Sequence, residues 1–355
     1  MSELERYGWN ETRERDFAPF RAKGWAPGRV TSEHKRMYRI RTAEGELLAE
    51  LSGKLRYEAS GRDDLPAVGD WVAASARPAE GKATIQAVLP RTSKFSRRAA
   101  GSETAEQIVA ANVDVVFLVS SLNRDWNPRR LERYLLLAWE SGANPAIVLT
   151  KRDLCPDPAP YVEEAEAIGL GVPVHAVSAE TGEGMEAVRA YLAGGRTAAL
   201  LGSSGVGKST LANAILGESK LAVSGIRETD ARGRHTTTHR ELFALPSGGL
   251  LIDTPGMREI QLWDVGQGLS ETFEDVVAVA ASCRFADCRH EREPGCAVRE
   301  ALRAGTLPEG RYRNYRKMEA EAAHAARKES ARLQAAMKQE YKKVTKQFRE
   351  TKHRR

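Results

Sequence analysis

The stretch Gly202-Ser203-Ser204-Gly205-Val206-Gly207-Lys208-Ser209 constrains this chain more than any other. It fits the pattern G-x-x-x-x-G-K-[ST], with the apolar run TAALLG leading into it and the helix-spaced STLANAILG following. Glycines at these places let backbone N–H groups turn inward around phosphates. Lys208 then meets the β and γ oxygens, and Ser209, next to Thr210, offers a hydroxyl to Mg²⁺. A strand, such a loop and a helix in succession commit the surrounding chain to an α/β sheet.

From Asn112 to Gly256 the text agrees. VDVVFLVSS, PAIVLT, PVHAVSA, TAALLG and GLLIDTPG have strand character, and PRRLERYLLLAWESG, APYVEEAEAIG, GMEAVRAYLA and STLANAILG have helical spacing. Strands apolar on both faces, with helices between them, indicate a largely parallel sheet whose functional loops gather at the strands' carboxyl ends. In Asp253-Thr254-Pro255-Gly256 the carboxylate can hold Mg²⁺ through water, and the Gly256 N–H can meet a γ-phosphate. Thr150-Lys151-Arg152-Asp153 resembles the guanine-reading N-K-x-D, with Thr in place of Asn. Asp153 can accept from guanine N1–H and the exocyclic amine, neither of which adenine offers, while Lys151 lays its stem on the base. Ser178-Ala179 fits the loop whose backbone contacts the guanine oxygen. Gly233-Arg234-His235-Thr236-Thr237-Thr238 lies where a switch loop belongs. One of its threonines, with Thr237 and Thr238 as candidates, can complete the Mg²⁺ shell. His235 is either a water-positioning imidazole or a surface histidine.

The order along the chain is base loop, Ser-Ala loop, phosphate loop, switch loop, DTPG, whereas an ordinary GTPase begins with the phosphate loop. Joining the original ends and cutting elsewhere preserves a packed sheet, so the order reads as a circular permutation.

Either side of this domain the character changes. Between Arg29 and Pro90, MYRIRT, GELLAEL, GDWVAAS and ATIQAVL read as short strands of a small β-barrel. Its Lys35, Arg36, Tyr38, Arg39, Lys54, Arg56 and Tyr57 serve either a nucleic-acid face or solvated strand faces. RTSKFSRRAAG reads as an exposed basic linker. Near the other end, Cys283, Cys288, His290 and Cys296 place four soft or borderline ligands within fourteen residues, the makings of a closed, structural Zn²⁺ site. After Pro308 the spacing is helical. From Arg311 onward 15 Lys or Arg face 5 Glu, a local +10 in a chain of net +6, which suits either RNA phosphate or solvent. No apolar run is long enough to cross a bilayer and the start MSELERYGWNETRERDF is too charged for a secretory signal, so a cytoplasmic protein is expected. The expected domains are residues 1–98, 99–263 and 264–355.

The permuted motifs GSSGVGKST, GRHTTT and DTPG, with a barrel segment before them and CRFADCRHEREPGCAV after, resemble the circularly permuted GTPases. Specifically they resemble the ribosome small-subunit-dependent GTPase A family, over nearly the whole chain. The resemblance implies an N-terminal OB-fold, GTP hydrolysis stimulated by the small ribosomal subunit, rRNA binding and a late role in that subunit's assembly. A monomer that cycles between GTP and GDP is expected. Met257 stands where Ras-like GTPases place a water-orienting Gln, and a thioether cannot orient water, so slow unassisted hydrolysis is expected. A P-loop ATPase and a nucleotide-gated RNA-binding protein with little turnover are the competing classes. Asp153 opposes the first, because it would face an adenine acceptor; the joint presence of Lys208, Ser209 and Asp253 opposes the second.

Overall fold

A computed structural model of the chain describes residues 2–34, 37–98, 106–123, 125–217, 240–246, 248–253, 267–324 and 326–327. Packing groups Met1–Ala99 with Ala105–Gln261 in one unit, and Ala100–Thr104 with Leu262–Arg355 in a second.

The first unit opens with two helices, α1 (Glu3–Arg6) and α2 (Glu11–Arg21), each started by a side-chain cap, Ser2 and Asn10. Five strands follow: β1 (Ala26–His34), β2 (Met37–Thr42), β3 (Gly45–Leu51), β4 (Trp71–Arg77) and β5 (Lys82–Val88). They pair in the order β1-β2-β3-β5-β4, and β4 returns to β1, which closes the barrel. Helix α3 (Gly53–Glu58) bridges β3 to β4, so the barrel is an OB-fold. The period-two alternation of strands such as GELLAEL sends Val30, Ile40, Leu47, Val72 and Ile85 into its core.

The segment read as an exposed linker is partly a strand. Lys94–Arg98 forms β6 and pairs antiparallel with β7 (Glu106–Ala111), with Phe95 1% exposed. Basic composition had hidden one buried aromatic, Phe95, within a strand held by its pairing with β7.

Six strands build the nucleotide-type sheet: β8 (Val115–Ser121), β9 (Asn144–Thr150), β10 (Val174–Ala176), β11 (Thr197–Gly202), β12 (Arg240–Ala244) and β13 (Leu250–Asp253). Their order is β10-β9-β8-β11-β13-β12, parallel except for β12. Helices α4 (Pro128–Ser141), α5 (Ala159–Ile168), α6 (Met185–Ala190) and α7 (Lys208–Leu216) connect them. The run VVFLVSS of β8 is buried at every position, as a central parallel strand requires.

Barrel and sheet are continuous. Strand β12 pairs antiparallel with β1, with Ser32 opposite Glu241 and Glu33 opposite Arg240, so that eleven strands form one sheet. Burial raises the Glu33 carboxyl above its ordinary range, and Arg240 stands 3.9 Å away to oppose that. A buried knot reinforces the join. Arg29 of β1 donates to the carbonyls of Tyr7, Gly69 and Asn112 and to Thr197 Oγ1 of β11, the last at 2.9 Å. It is 2% exposed, and burial lowers it to about 10, still a cation at neutral pH. Asn112, at φ 54°, accepts from Arg13 and the Thr92 N–H and donates to the Gly69 carbonyl. Gly69 is required there: at φ +92° a Cβ would stand 2.1 Å from the Ala111 carbonyl oxygen.

The second unit contains α8 (Gln267–Thr272), α9 (Glu274–Ala281), α10 (Ala297–Ala304) and helical residues 309–324. Arg311, the first residue of the basic tail, is spent on structure. It pairs with Asp275 at 2.6 Å and 2.8 Å, donates to the Thr272 carbonyl and lies over the fully buried Phe273 ring. No helix of the described residues is long and apolar enough to cross a membrane.

Candidate functional site

The phosphate loop leaves the end of β11 and enters α7 as the sequence requires. Gly202 has no room for a side chain, because a Cβ would stand 2.5 Å from the Val119 carbonyl oxygen of β8. Gly207 is the left-handed residue (φ +96°) that starts α7, directing the helix N-terminus and its N–H groups toward the loop. Ser204 and Gly205 are exposed, Val206 is buried as the loop's anchor, and Ser209 and Thr210 lie half-buried in the first turn of α7. Lys208 Nζ donates to the carbonyls of Gly202 (2.8 Å) and Ser203 (2.5 Å), so its ammonium lies along the loop.

The base loop follows β9, two strands from β11, and is tied to the phosphate loop by two side chains. The buried Thr150 hydroxyl lies 2.5 Å from the Val206 carbonyl oxygen and 3.2 Å from that of Ser120. Lys151, held at φ 62°, extends over the loop and donates to the Gly205 carbonyl at 2.8 Å. Thr150, standing where Asn is usual, thus makes a tie that needs only a single donor. Ser178, fully buried at the end of the β10 loop, donates to Asp153 Oδ1 at 2.7 Å and accepts from the Thr181 N–H. The Arg152 N–H reaches the Val177 carbonyl and packs the two base-loop segments together, with Ala179 next in chain to Ser178. Thr150, Lys151, Asp153 and Ser178 therefore form one assembly with Gly205 and Val206.

Sequence reasoning missed two residues here. Asp125 and Arg130 flank the start of α4 and close onto Ser203 of the phosphate loop. Their legible signal was Asn127-Pro128, a helix start that places an Asp and an Arg on either side of a capping turn.

Strand β13 delivers Asp253 to its carboxyl end, its backbone opposite Glu241 of β12. His235, Thr237 and Thr238 of the switch segment, and Gly256 and Met257 beyond Asp253, lie outside the described residues, as does residue 254.

In the second unit the ligand atoms of Cys283, Cys288, His290 and Cys296 all lie within 4.8 Å of one another. Cys283 Sγ and Cys296 Sγ each lie 3.5 Å from His290 Nδ1 and 4.0 Å from each other. A tetrahedron with metal–sulfur bonds of about 2.3 Å and metal–nitrogen bonds of about 2.0 Å spans roughly these separations. His290 takes a left-handed backbone (φ 62°) to turn Nδ1 inward, and Tyr312 packs edge-on against its ring. Against desolvation, the N–H groups of Val298 and Ala297 at the start of α10 lower the Cys283 thiol, while desolvation and the neighbouring thiols push Cys288 up to about 11. The three sulfurs and one imidazole fit a metal ion.

Comparison with known proteins bears on both units. A family profile described as RsgA GTPase matches residues 88–263. One described as ABC transporter matches residues 185–348, and the phosphate loop lies within both matches. The chain is 48% identical over 350 residues to a protein of Opitutus terrae named small ribosomal subunit biogenesis GTPase RsgA, covering 96% of this chain and 95% of that one. A protein of the same name from Streptomyces coelicolor is 46% identical over 347 residues, covering 96% of this chain and 93% of its own. Among solved structures, YjeQ from Thermotoga maritima matches with a TM-score of 0.63 and 32% identity over 84% of this chain and 99% of its own. YloQ, titled a circularly permuted GTPase, matches in fold with a TM-score of 0.61 and 24% identity, over 84% and 96% of the two chains.

Proposed function

This chain belongs to the RsgA GTPase family, and from that premise we infer that it hydrolyses GTP in the service of small ribosomal subunit biogenesis, gated by the subunit itself. The observation that most supports guanine use is the assembly of Thr150, Lys151, Asp153 and Ser178 with the phosphate loop. An adenine would meet the Asp153 carboxylate with a ring acceptor, leaving two acceptors face to face.

In this reading the loop from Gly202 to Thr210 wraps the phosphates, Lys208 neutralises the β and γ oxygens, and the Ala179 backbone meets the guanine carbonyl. Ser209 and Asp253 would hold Mg²⁺, with Thr237 or Thr238 adding a hydroxyl; the ion would supply charge neutralisation to the phosphates. Gly256 N–H meets the γ-phosphate. His235 orients the attacking water, a task Met257 cannot perform, so turnover waits for a partner that brings this group to its working position. That partner is the small subunit, met through its rRNA by the barrel and by the basic residues beyond Arg311. The ion held by Cys283, Cys288, His290 and Cys296 is Zn²⁺ in a closed, structural role. The domains follow the three tasks: residues 1–98 for RNA, 99–263 for nucleotide, 264–355 for the metal and the basic tail. A cytoplasmic monomer fits these tasks.

Turnover measured with GTP and ATP, each with purified small subunits, large subunits or neither, tests the whole reading. GTP hydrolysis should rise only with small subunits, and the rise should shrink steeply with salt because phosphate contacts release counterions. Equal rates under all three conditions, or equal use of ATP, would overturn it.

A further inference from the structure

The phosphate loop is gripped from two sides. Thr150 and Lys151 hold its second half at Val206 and Gly205; its first half is held at Ser203 by residues that the nucleotide-reading motifs do not include. Between β8 and α4 the chain makes a built turn. The Leu122 N–H donates to the Thr150 carbonyl at 2.9 Å, and Asn123 Oδ1 accepts from the Ser121 hydroxyl (2.8 Å) and the Asp125 N–H (3.0 Å). The Trp126 N–H closes on the Asn123 carbonyl at 3.0 Å, and Asn127 caps α4 by accepting the Arg130 N–H at 3.1 Å. Backbone and side-chain bonds together thus fix the turn and helix start from which Asp125 and Arg130 project.

Those side chains form a closed triangle with Ser203. Arg130 Nη1 and Nη2 reach the two oxygens of Asp125 at 2.8 Å and 3.4 Å. Arg130 Nη1 also donates to Ser203 Oγ at 2.7 Å, and the Ser203 hydroxyl donates in turn to Asp125 Oδ2 at 3.1 Å. Every strong bond in the triangle is ionic on at least one side, and its three corners come from three segments: the turn, the helix and the phosphate loop. Cation and carboxylate cancel, so the triangle supplies shape to the loop rather than field to the phosphate.

Resting on the GTPase reading above, we propose that Asp125 and Arg130 are positioning residues for hydrolysis, acting through the Ser203 hydroxyl to hold the first half of the phosphate loop in its phosphate-receiving form. The side chains are 45% and 30% exposed, and ion pairs with that much water contribute little to global stability. Their effect falls on loop geometry, where an error of about 1 Å costs on the order of 10²-fold in rate.

The test compares the intact protein with Arg130→Ala, Arg130→Lys, Ser203→Ala and the Arg130→Ala/Ser203→Ala double variant. Three quantities are read: kcat and KM with small subunits present, the release rate of a fluorescent GDP analogue, and Tm. Arg130→Ala should lower kcat by about ten- to hundredfold with KM moving less, speed GDP release, and leave Tm unchanged. Arg130→Lys, still a donor to Ser203 but no longer two-pronged on Asp125, should recover part of kcat. The double variant should be no worse than the poorer single variant, because both remove the same contact. Costs that multiply in the double variant would mean that Arg130 acts elsewhere and would overturn the proposal. So would a lowered Tm with kcat and KM unchanged. If the wild-type protein showed no subunit-stimulated turnover, the functional reading would fail separately. GDP release would then decide the brace: faster release from Arg130→Ala upholds it, and an unchanged rate removes it.

Discussion

On the proposed reading of Asp153, replacing it by Asn should shift preference from guanine to xanthine nucleotides, and the structure says which way the new amide must face. Ser178 Oγ already accepts from the Thr181 N–H, so its one proton goes to Asp153 Oδ1 at 2.7 Å. In Asp153→Asn that proton still demands an acceptor, which pins the amide oxygen toward Ser178 and turns the NH₂ toward the base. Guanine N1–H and its 2-amino group then meet a donor where they had a carboxylate. Two hydrogen bonds to a charged group are lost, at about 1.5–3 kcal/mol each, so GTP should bind about 10²- to 10⁴-fold more weakly. Xanthosine triphosphate offers a C2 carbonyl to the same NH₂ and should become the preferred nucleotide. Displacement of a fluorescent GDP analogue by GTP and by xanthosine triphosphate measures both. Adding Ser178→Ala to Asp153→Asn frees the amide to flip, and part of the GTP affinity should return. Undiminished GTP affinity in Asp153→Asn, or a double variant that still favours xanthosine triphosphate as strongly, would refute the reasoning.

Thr150→Val keeps the buried shape but strips the donor from the Val206 carbonyl, which should cost about 1–2 kcal/mol, read as roughly 5- to 30-fold weaker GDP binding with the fold intact. Arg29→Met leaves the acceptors of the buried knot unpaired and should lower unfolding stability by about 3–5 kcal/mol in urea titration, with barrel and nucleotide sheet both affected. Metal analysis should find one Zn²⁺ per chain. Chelation, or Cys288→Ser with Cys296→Ser, should unfold the second unit first, and metal release should be favoured as pH falls because the ligands must be deprotonated to bind. Deleting residues 328–355 removes ten Lys or Arg against three Glu and should lower subunit-stimulated turnover more than basal turnover; starting the deletion at Arg311 would instead break the Asp275 pair and the packing on Phe273.

The candidate site was legible along the chain as motifs because each motif is read over a few residues. The phosphate loop needs glycines at fixed intervals, the base loop needs a carboxylate three residues after Thr150, and four candidate metal ligands fall within fourteen residues. Strand period marked the barrel, and apolar runs marked the parallel sheet. The permuted order followed from the succession of motifs alone. What required the folded chain was every bond whose partners lie far apart in sequence. Arg29 meets Thr197 across 168 positions, Arg130 meets Ser203 across 73, and Thr150 meets Val206 across 56. An Arg in a strand reads as a solvated face until burial shows it paired, and Phe95 inside a basic stretch reads as a linker until pairing with β7 and burial show it in a strand. The union of barrel and sheet through β1 and β12 was equally invisible, because edge pairing is made by backbone N–H and C=O groups that every residue type carries, and only tertiary packing brings two particular edges together.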